Sequence, residues 1–437
     1  MDNTAITTLY FLPLAFSLIY YLLRRSTNNR KNTTVLQDAI ADRLTEPASL
    51  HPLINADKCV GCGSCVHACP ENQVLGLIKG KAQLINPTHC IGHGCCKEAC
   101  PMNAIELVFG TATRGVDIPH LQPNFETNVP GIFIAGELGG MGLIKNAIAQ
   151  GKQAVESIKR KINSQQHTDY DLIIVGAGPA GIAASLAAKK SNLRYLVLEQ
   201  ESLGGTVSHF PRGKIVMTAP TELPIVGKVH FRETSKEELM EFWKKIEAET
   251  DLNINYRERV ESVTALDQQA SGYQVISNES QYTTHALLLA IGRRGTPRKL
   301  DVPGEDLPKV VYRLDDPEQY KGKHVTVVGG GDSALEAALA ISEQPGTTVT
   351  LSYRSDAFSR AKKKNRTRIS AAGEEKKVAI LFNSNVKNIG KSEIEIEQDG
   401  QLLKLKNDAV IISAGGILPT PFLKQIGINV ETKYGTN

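Results

Sequence analysis

The sequence has no cysteine outside one short stretch. All eight cysteines lie between Cys59 and Cys100, and the rest of the 437 residues contain none. This confinement excludes a disulfide-stabilised scaffold and indicates a module that binds a metal or a cluster. Aromatic residues are also scarce, at 5%, which argues against a surface that stacks nucleic-acid bases. Neither sign of charge dominates, since the net charge is +4, so nucleic acid is not expected as a partner.

Long hydrophobic runs are rare, and the clearest one is at the N-terminus. Residues 5–23 contain no charged side chain, and at about 1.5 Å per residue they can just span a hydrocarbon core of about 30 Å. Four basic residues follow: Arg24, Arg25, Arg30 and Lys31. The positive-inside rule therefore predicts a transmembrane helix over residues 5–23, a polar linker over 24–50, and domains that face the cytoplasm from the inner membrane. A cleaved signal peptide fits less well, because the N-terminus has no basic start and no small-residue cleavage site.

The first cysteine motif runs from Cys59 to Pro70 and reads Cys59-Val-Gly-Cys62-Gly-Ser-Cys65-Val-His-Ala-Cys69-Pro70. In bacterial-type ferredoxins with this spacing, three cysteines bind one iron–sulfur cluster and the fourth reaches a second cluster. Zinc is disfavoured, because four cysteines at this spacing are followed by proline and the pattern then repeats in a second motif.

A second motif, Cys90-Ile-Gly-His93-Gly-Cys95-Cys96-Lys-Glu-Ala-Cys100-Pro101, departs from the first at one ligand position. Counting back from Pro101 puts His93 where a cysteine is expected and leaves Cys95 beside Cys96. The register favours His93 as the ligand, while Cys95, or a [3Fe-4S] cluster without a fourth ligand, stays open. An imidazole ligand would raise the reduction potential.

Residues 55–108 therefore resemble a two-cluster ferredoxin, and a domain over 51–110 is expected to hold two [4Fe-4S] clusters. The crossing pattern of the motif gives one cluster to Cys59, Cys62, Cys65 and Cys100. It gives the other to Cys69, Cys90, His93 and Cys96.

From Asp171 onward, apolar strands alternate with alanine-rich helices, which predicts βαβ units and parallel sheets. The turn Gly176-Ala-Gly178-Pro179-Ala180-Gly181 joins a strand to a helix with the glycine spacing of a dinucleotide-binding site. The next strand ends at Glu199, which can bind a ribose hydroxyl.

A second turn of this type is Gly329-Gly-Gly331-Asp332-Ser333-Ala334. Its following strand ends at Arg354 instead of an acidic residue. Arg354, with Arg360 or the basic run 362–368, can pair with a 2′-phosphate, so NADPH is expected rather than NADH. The basic run itself is predicted to be a solvated loop.

Two such turns in one chain resemble the pyridine-nucleotide flavoprotein reductases of the thioredoxin reductase and bacillithiol-disulfide reductase type, over residues 111–437. The resemblance implies FAD at the first turn and NADPH at the second. It implies an FAD domain over 168–300, an NADPH domain over 301–407, and a return to the FAD domain over 408–437.

These reductases usually close with a segment similar to Val129-Pro-Gly131-Ile-Phe-Ile-Ala-Gly136-Glu137, which here precedes the first glycine turn. A helix over 144–161 follows it. The resemblance thus implies a circular permutation that moves the C-terminal FAD segment to residues 111–163. Gly136 and Glu137 are then expected against FAD.

The reactive thiols of both reductase types are missing. Tyr312-Arg-Leu-Asp-Asp316 stands where thioredoxin reductases have their cysteine pair, and Ala180 replaces the thiol of the bacillithiol enzymes. His209 and Arg212 lie in a stretch resembling the latter. A structural role is expected for both, and a position near the flavin is the alternative.

The expected fold class is α/β, with two Rossmann-type domains, a small α+β ferredoxin domain and an N-terminal transmembrane helix. The expected function is a membrane-anchored, FAD-dependent NAD(P)H oxidoreductase that passes electrons through two clusters to or from a ferredoxin-like or membrane-bound redox partner. No side chain is needed as acid, base or nucleophile. Reduction of a small acceptor such as a disulfide, and a non-catalytic redox-sensing subunit, are the alternatives. The direction of electron flow and formation of a homodimer stay open.

Overall fold

The computed structural model describes residues 3–41, 45–47, 50–71, 73–90, 92–140, 142–162, 168–210, 215–217, 220–230, 233–266, 272–293, 295–359 and 361–435. Side chains of the first helix are described from residue 15 onward. The chain divides into two units, residues 1–116 with 433–437 and residues 117–432.

The first unit is built on two small antiparallel strand pairs. Its elements are α1 (Asn3–Ala41), β1 (His51–Ile54), α2 (Ser64–Ala68), β2 (Leu75–Ile78), β3 (Lys81–Leu84), α3 (Cys95–Glu98) and β4 (Ile105–Val108). Strand β1 pairs with β4, and β2 pairs with β3. The core of this unit contains cysteines together with aliphatic side chains such as Val74, Leu75 and Ile105.

The helix α1 differs from the predicted arrangement of a membrane span and a linker. It continues to Ala41, so the prediction of a linker from residue 24 was wrong for this stretch. The reason is packing, because Asn32 hydrogen-bonds to Leu77 and Ala39 is buried. The predicted span, residues 5–23, lies partly outside the described side chains. Within the described portion, no helix is long and apolar enough to cross a membrane.

The second unit opens with a Rossmann-type sheet. Its elements are β5 (Val116–Pro119), β6 (Ile132–Ile134), α4 (Ile144–Lys159), β7 (Tyr170–Val175), α5 (Pro179–Lys190), β8 (Tyr195–Glu199), β9 (Ile215–Met217), β10 (Thr221–Leu223), β11 (Gly227–Val229), β12 (Glu233–Ser235), α6 (Lys236–Thr250), β13 (Ile254–Tyr256), β14 (Val260–Ala265), β15 (Tyr273–Ser277) and β16 (Gln281–Leu289). The strand order is β13-β8-β7-β16-β15-β14, and β6 also pairs with β16. Strands β13, β8, β7, β16 and β6 are parallel neighbours, and β14–β16 form an antiparallel meander.

A second parallel sheet follows in the same unit. Its elements are β17 (Thr296–Pro297), β18 (Val310–Val311), β19 (His324–Val328), α7 (Asp332–Ser342), β20 (Thr348–Ser352), α8 (Lys363–Glu374), β21 (Val378–Leu381), β22 (Ser384–Ile389), β23 (Glu393–Gln398), β24 (Gln401–Lys406), β25 (Ala409–Ile412), β26 (Gly416–Ile417), α9 (Thr420–Gln425) and β27 (Val430–Lys433). Its strand order is β18-β25-β19-β20-β21, and β22–β24 form a separate antiparallel meander. The α/β class predicted from the sequence is confirmed.

Two sequence predictions are corrected in this half. The run 362–368 was predicted to be a solvated loop, but α8 begins at Lys363, because Ile369 and Ala372 are buried one turn apart on one helix face. The return to the first sheet was placed at residue 408, but β25 pairs with β18 and β19 of the second sheet.

Candidate redox-cofactor sites

The two cysteine motifs fold into the same backbone loop. In the first, a left-handed Gly63 (φ 82°) precedes α2, whose second residue is Cys65. In the second, a left-handed Gly94 (φ 81°) precedes α3, whose second residue is Cys96. Such φ values favour glycine, so the glycines of each motif set the loop.

This repeat fixes which side chains occupy equivalent positions. His93 precedes its left-handed glycine as Cys62 precedes Gly63, and Cys95 takes the position of Ser64. In the first loop, the Ser64 hydroxyl lies 3.4 Å from the Cys62 sulfur, and this hydrogen bond lowers the pKa of Cys62. Cys95 is thus a neighbour of the ligand position by backbone register.

Each cysteine group surrounds its own cavity. One cavity is lined by Cys59, Cys62, Cys65 and Cys100. A second is lined by Cys69, Cys90, His93, Cys95 and Cys96. Cys100 thus lines the cavity of the first motif and Cys69 that of the second, and the assignment of cluster ligands stays a prediction. Within the described ranges, no three histidine, cysteine or acidic side chains meet closely enough to hold a single metal ion.

Burial and mutual repulsion raise the pKa of thiols in both cavities. Burial raises the pKa of Cys65, and the neighbouring Cys59 and Cys100 raise it further. Burial raises the pKa of Cys96 to about 11, with Cys90 as the first charged neighbour. Gathered thiolates need a cation to offset their repulsion, and the iron of a cluster would supply it, because a coordinating thiol is deprotonated outright. The donor sets fit iron–sulfur clusters.

His93 differs from the thiols in its response to burial. Burial lowers its pKa, and Glu71 opposes that shift. Neutral imidazole is the form that binds a metal. Both His93 and Cys95 line the cavity, so the geometry leaves both as candidates for the fourth position.

The first glycine turn lies between β7 and α5 and is tightly packed. Gly176 has φ 105°, and a β-carbon there would lie 2.6 Å from the Ala290 carbonyl oxygen. A β-carbon on Gly181 would overlap the Gly176 carbonyl. Gly178 is more open, with its nearest neighbour, Gly205, at 3.9 Å, and Pro179 is the first residue of α5. The helix N-terminus and the open Gly178 suit a pyrophosphate.

Glu199, at the end of β8, braces this turn. One carboxylate oxygen accepts from the Ala177 N–H at 2.7 Å, and the other accepts from the Glu201 N–H at 2.8 Å. The residue is buried, and burial raises its pKa, while these two hydrogen bonds oppose the shift. Each oxygen keeps a second lone pair that can accept from a ribose hydroxyl.

The segment ahead of the glycine turn packs into the same sheet. Strand β6 runs parallel to the last three residues of β16, and the Ala135 N–H donates to the Leu289 carbonyl at 3.1 Å. A β-carbon on Gly136 would lie 3.0 Å from that of Ala180, in the first turn of α5. Helix α4 lies against α5, with Gly151 in contact with the Ala180 carbonyl.

Glu137 follows this strand, three residues beyond Ile134. Its side chain is reached by solvent, yet surrounding protein atoms raise the pKa of its carboxyl, and the Arg293 guanidinium opposes that shift. Arg293 also donates to the Asp117 carbonyl at 2.8 Å. The segment containing Glu137 and the first glycine turn are therefore neighbours through Gly136 and Ala180.

The second glycine turn has the same form. Gly329 has φ 143°, and a β-carbon there would lie 2.4 Å from the Ser413 carbonyl oxygen. Gly331 is open and precedes α7, whose first residue, Asp332, accepts from the Lys362 N–H and the Asn365 amide, each at 2.8 Å. Ser333 is exposed and Ala334 is buried.

Arg354 follows β20 beside this turn. It is exposed, and no described residue forms an ion pair or hydrogen bond with it. An unpaired guanidinium at this position suits a nucleotide phosphate. Arg360, the other predicted phosphate partner, lies outside the described residues, as does Arg212.

Comparisons with known proteins agree with this geometry. A profile of the pyridine nucleotide-disulphide oxidoreductases matches residues 173–436, and one of the 4Fe-4S dicluster domain matches residues 51–101. The chain belongs to the pyridine nucleotide-disulphide oxidoreductase family. It is an oxidoreductase that also contains a ferredoxin-type domain, and the resemblance to both is confirmed.

Two relatives of this oxidoreductase illustrate its range. It is 30% identical over 270 residues to the ferredoxin–NADP reductase of Ignicoccus hospitalis, covering 60% of this chain and 83% of the relative. It is 27% identical over 269 residues to the bacilliredoxin reductase of Bacillus subtilis, covering 60% and 82%. The bacillithiol disulfide reductase structure from Bacillus cereus matches with a TM-score of 0.51 and 25% identity, covering 60% of this chain and 82% of that one.

An ion-pair network in this oxidoreductase has no signal in the sequence. Arg313 donates to Glu201 at 3.2 Å, and its guanidinium lies 2.6 Å from Nδ1 of His209. Nε2 of His209 lies 3.0 Å from Glu201. Arg313 belongs to the stretch that holds the cysteine pair in thioredoxin reductases, so charge pairing replaces sulfur there. The structural role expected for His209 agrees with these contacts.

A ring against the second glycine turn was also missed. A β-carbon on Gly330 would overlap the Tyr353 ring, which stacks on Phe358 with centroids 5.6 Å apart. Gly330 was not among the predicted site residues, although the close approach of the Tyr353 ring leaves no room for a side chain at this position.

Proposed function

We propose that this chain is a membrane-anchored, FAD-dependent NADPH oxidoreductase that exchanges electrons with a redox protein through two [4Fe-4S] clusters. The observation that supports it best is the pair of cysteine-lined cavities in a chain with no cysteine after Cys100. With no thiol near the flavin site, electrons leave through clusters rather than through a disulfide. The ferredoxin–NADP reductase among the relatives supports a protein partner.

The first glycine turn would hold FAD, the cofactor that converts between hydride and single-electron chemistry. Gly176, Gly178 and Gly181 admit the pyrophosphate to the start of α5. Glu199 would accept from the ribose. Gly136 and Glu137 would lie against the bound FAD.

The second turn, with Gly329, Gly331, Asp332, Ser333 and Ala334, would hold NADPH. Arg354 is the proposed 2′-phosphate partner, since its charge is unpaired in the described chain. Arg360 and the basic start of α8 are proposed to add to the positive field there. A carboxylate at position 354 would repel the phosphate.

The clusters are assigned by cavity. The first would be bound by Cys59, Cys62, Cys65 and Cys100, and the second by Cys69, Cys90 and Cys96 with His93. Backbone register supports His93, because it occupies the position of Cys62. A Cys95 ligand or a three-iron second cluster is the competing assignment.

We also propose that residues 111–163 are the permuted C-terminal segment of the flavin domain. The parallel pairing of β6 with β16 supports this, because that pairing completes the parallel part of the first sheet. The close approach of α4 to α5 at Gly151 supports it as well.

The anchor and location rest on the N-terminal segment. Residues 5–23 are uncharged, and large apolar side chains from Phe16 to Leu23 are more than half exposed. Exposure of the apolar side chains along residues 16–23 is the pattern of a lipid-facing surface, and the basic residues that follow support a location of the chain on the cytoplasmic side of the inner membrane.

The test is anaerobic reduction of the full chain by NADPH. Flavin bleaching followed by cluster signals in electron paramagnetic resonance is expected. A Cys65→Ser variant should keep NADPH–ferricyanide turnover, which small oxidants take from the flavin, and should lose reduction of a two-cluster ferredoxin. A Ser64→Ala variant is the matched control and should retain both.

Two outcomes would overturn the proposal. Disulfide turnover that survives in Cys65→Ser would assign the chain to reduction of a small acceptor. Absence of any NADPH turnover in the cofactor-loaded chain would assign it to a non-catalytic subunit.

A further inference from the structure

The second half of α1 is fixed to the β2–β3 hairpin. Nδ2 of Asn32 donates to the Leu77 carbonyl at 3.0 Å, and Oδ1 of Asn29 accepts from the Lys79 N–H at 2.7 Å. Ala39, further along the helix, is buried. The helix and the ferredoxin unit therefore form one body here, and α1 is not a loose tether.

The tight turn of this hairpin lies at the N-terminal end of the contact. Lys79 and Gly80 have φ of 49° and 75°, the pattern of a two-residue hairpin turn. A β-carbon on Gly80 would lie 3.1 Å from a guanidinium nitrogen of Arg25. Arg25 is two residues beyond the uncharged segment 5–23, which is about 3 Å along the helix axis.

The same turn touches the first cysteine loop. A β-carbon on Gly61 would overlap the Gly80 carbonyl, and the Lys81 ammonium donates to the Cys59 carbonyl at 2.7 Å. The first cavity thus lies at the end of the unit nearest the uncharged segment. The second cavity is lined by Leu75, at the opposite end of β2.

The surface around the first cavity combines apolar and basic side chains. Val60 is 61% exposed and Met102 is 47% exposed, and both line the cavity together with the exposed Cys62. The basic residues on the same segments are Arg25, Lys58, Lys79 and the half-buried Lys81, and the Gly80 turn is in contact with Arg25 and with Gly61. Asp57 is the acidic residue in the same stretch. We name the surface formed by Arg25, residues 58–62, residues 79–81 and Met102 the first-cluster pole.

We propose that the first-cluster pole lies on the surface of an anionic bilayer. Lysine and arginine pair with anionic headgroups, and exposed apolar side chains enter the interface, so the chemistry of the pole fits such a surface. The pole is continuous with the uncharged segment of α1 through Arg25, so it would lie at the level of the lipid headgroups if that segment is in the bilayer. The first cluster site, rather than the second, is then within reach of a membrane-held redox partner. This inference rests on the proposed membrane anchor.

Hydrogen exchange of the cofactor-loaded full chain tests it. The chain is placed in nanodiscs of equal parts phosphatidylcholine and phosphatidylglycerol, and compared with the detergent-solubilised chain. Backbone amides of residues 58–62 and 79–81 should exchange at least about fivefold more slowly in nanodiscs, because each basic residue strengthens attachment to an anionic surface by about that factor and the pole must leave the surface before these amides exchange. The equivalent second loop, residues 92–96, is the internal control and should not change.

Variants separate charge from simple proximity. Lys58→Glu combined with Lys79→Glu should remove the protection, whereas Lys97→Glu, on the second loop's helix, should leave it unchanged. A chain that stays in nanodiscs after alkaline washing but shows no protection of 58–62 overturns the inference and leaves the anchor standing. A chain that does not enter nanodiscs overturns both.

Discussion

Gly151 of α4 lies directly against the carbonyl oxygen of Ala180 in α5. A β-carbon at Gly151 would overlap that oxygen, so the two helices approach as closely as a glycine allows. The contact joins a segment that precedes the first glycine turn to the helix that follows it. It therefore ties the proposed permuted segment to the flavin site.

The first prediction concerns this contact. Glycine to alanine normally stabilises a helix by about 0.5–1 kcal/mol. Gly151→Ala should instead destabilise the chain by about 1–3 kcal/mol, because the added methyl forces the helices apart. The measurement is the denaturant midpoint of flavin release. Gln153→Ala, exposed on the same helix, should change little, and a stabilising Gly151→Ala would contradict the close packing.

The second prediction concerns Glu137. If it lies against FAD, Glu137→Ala should lower FAD affinity at least tenfold, about 1.4 kcal/mol, without unfolding the chain. Glu156→Ala, exposed on α4, serves as the control. Bound flavin per chain and circular dichroism are the readouts. Equal flavin retention by both variants would place Glu137 away from the cofactor.

The third prediction is a pH dependence of the flavin-free chain. Burial raises the pKa of Glu137 above its unfolded value, so ionisation in the folded state costs stability. The contribution of Glu137 to the free energy of unfolding is therefore largest below its unfolded pKa, and it decreases as the pH rises from about 4 toward neutrality. Glu137→Gln should flatten that part of the stability curve. An unchanged slope in urea titrations across this range would count against a raised pKa at Glu137.

The fourth prediction concerns nucleotide choice. Arg354→Glu should weaken NADPH binding by about 1.5–3 kcal/mol and leave NADH binding nearly unchanged, because only NADPH has the 2′-phosphate. Lys391→Glu makes the same charge change at an exposed site elsewhere. Dissociation constants for both nucleotides are the measurement. Equal losses for NADPH and NADH would exclude a 2′-phosphate role.

The fifth prediction separates the two candidate ligands of the second cluster. With His93 as ligand, His93→Ala should lose iron or form a three-iron cluster, while Cys95→Ala should keep full iron content. His93→Cys should then lower the midpoint potential of that cluster, because a thiolate adds negative charge. Iron analysis and electron paramagnetic resonance distinguish the cases. Two intact four-iron clusters in both alanine variants would show that His93 is not a ligand.

Local signals in the sequence predicted the two cysteine loops and the two glycine turns. Counting from Pro101 put His93 in the Cys62 position, and the loop backbones repeat because left-handed glycines fix them. The two glycine turns were found for the same reason, since their glycines meet backbone oxygens at close range. The helical start of α8 was missed because a run of lysines and arginines masks the buried Ile369 and Ala372.

Contacts between distant residues could not be predicted. Arg313 and Glu201 are 112 residues apart, and neither lies in a sequence motif that indicates its partner. The packing of α1 depends on Asn29 and Asn32, polar residues that predict a linker as readily as a docked helix. Such pairings are decided by tertiary structure, and a single sequence does not encode them locally.

The order of β6 in the chain affects how the protein is made. Ile132 pairs with Leu287, so about 150 residues must emerge from the ribosome before this apolar strand gains its neighbour. During that interval the cysteine-bearing unit is already complete except for its last residues. Synthesis therefore leaves a period in which iron can be inserted into the nascent chain while the flavin fold is still open and exposed to chaperones.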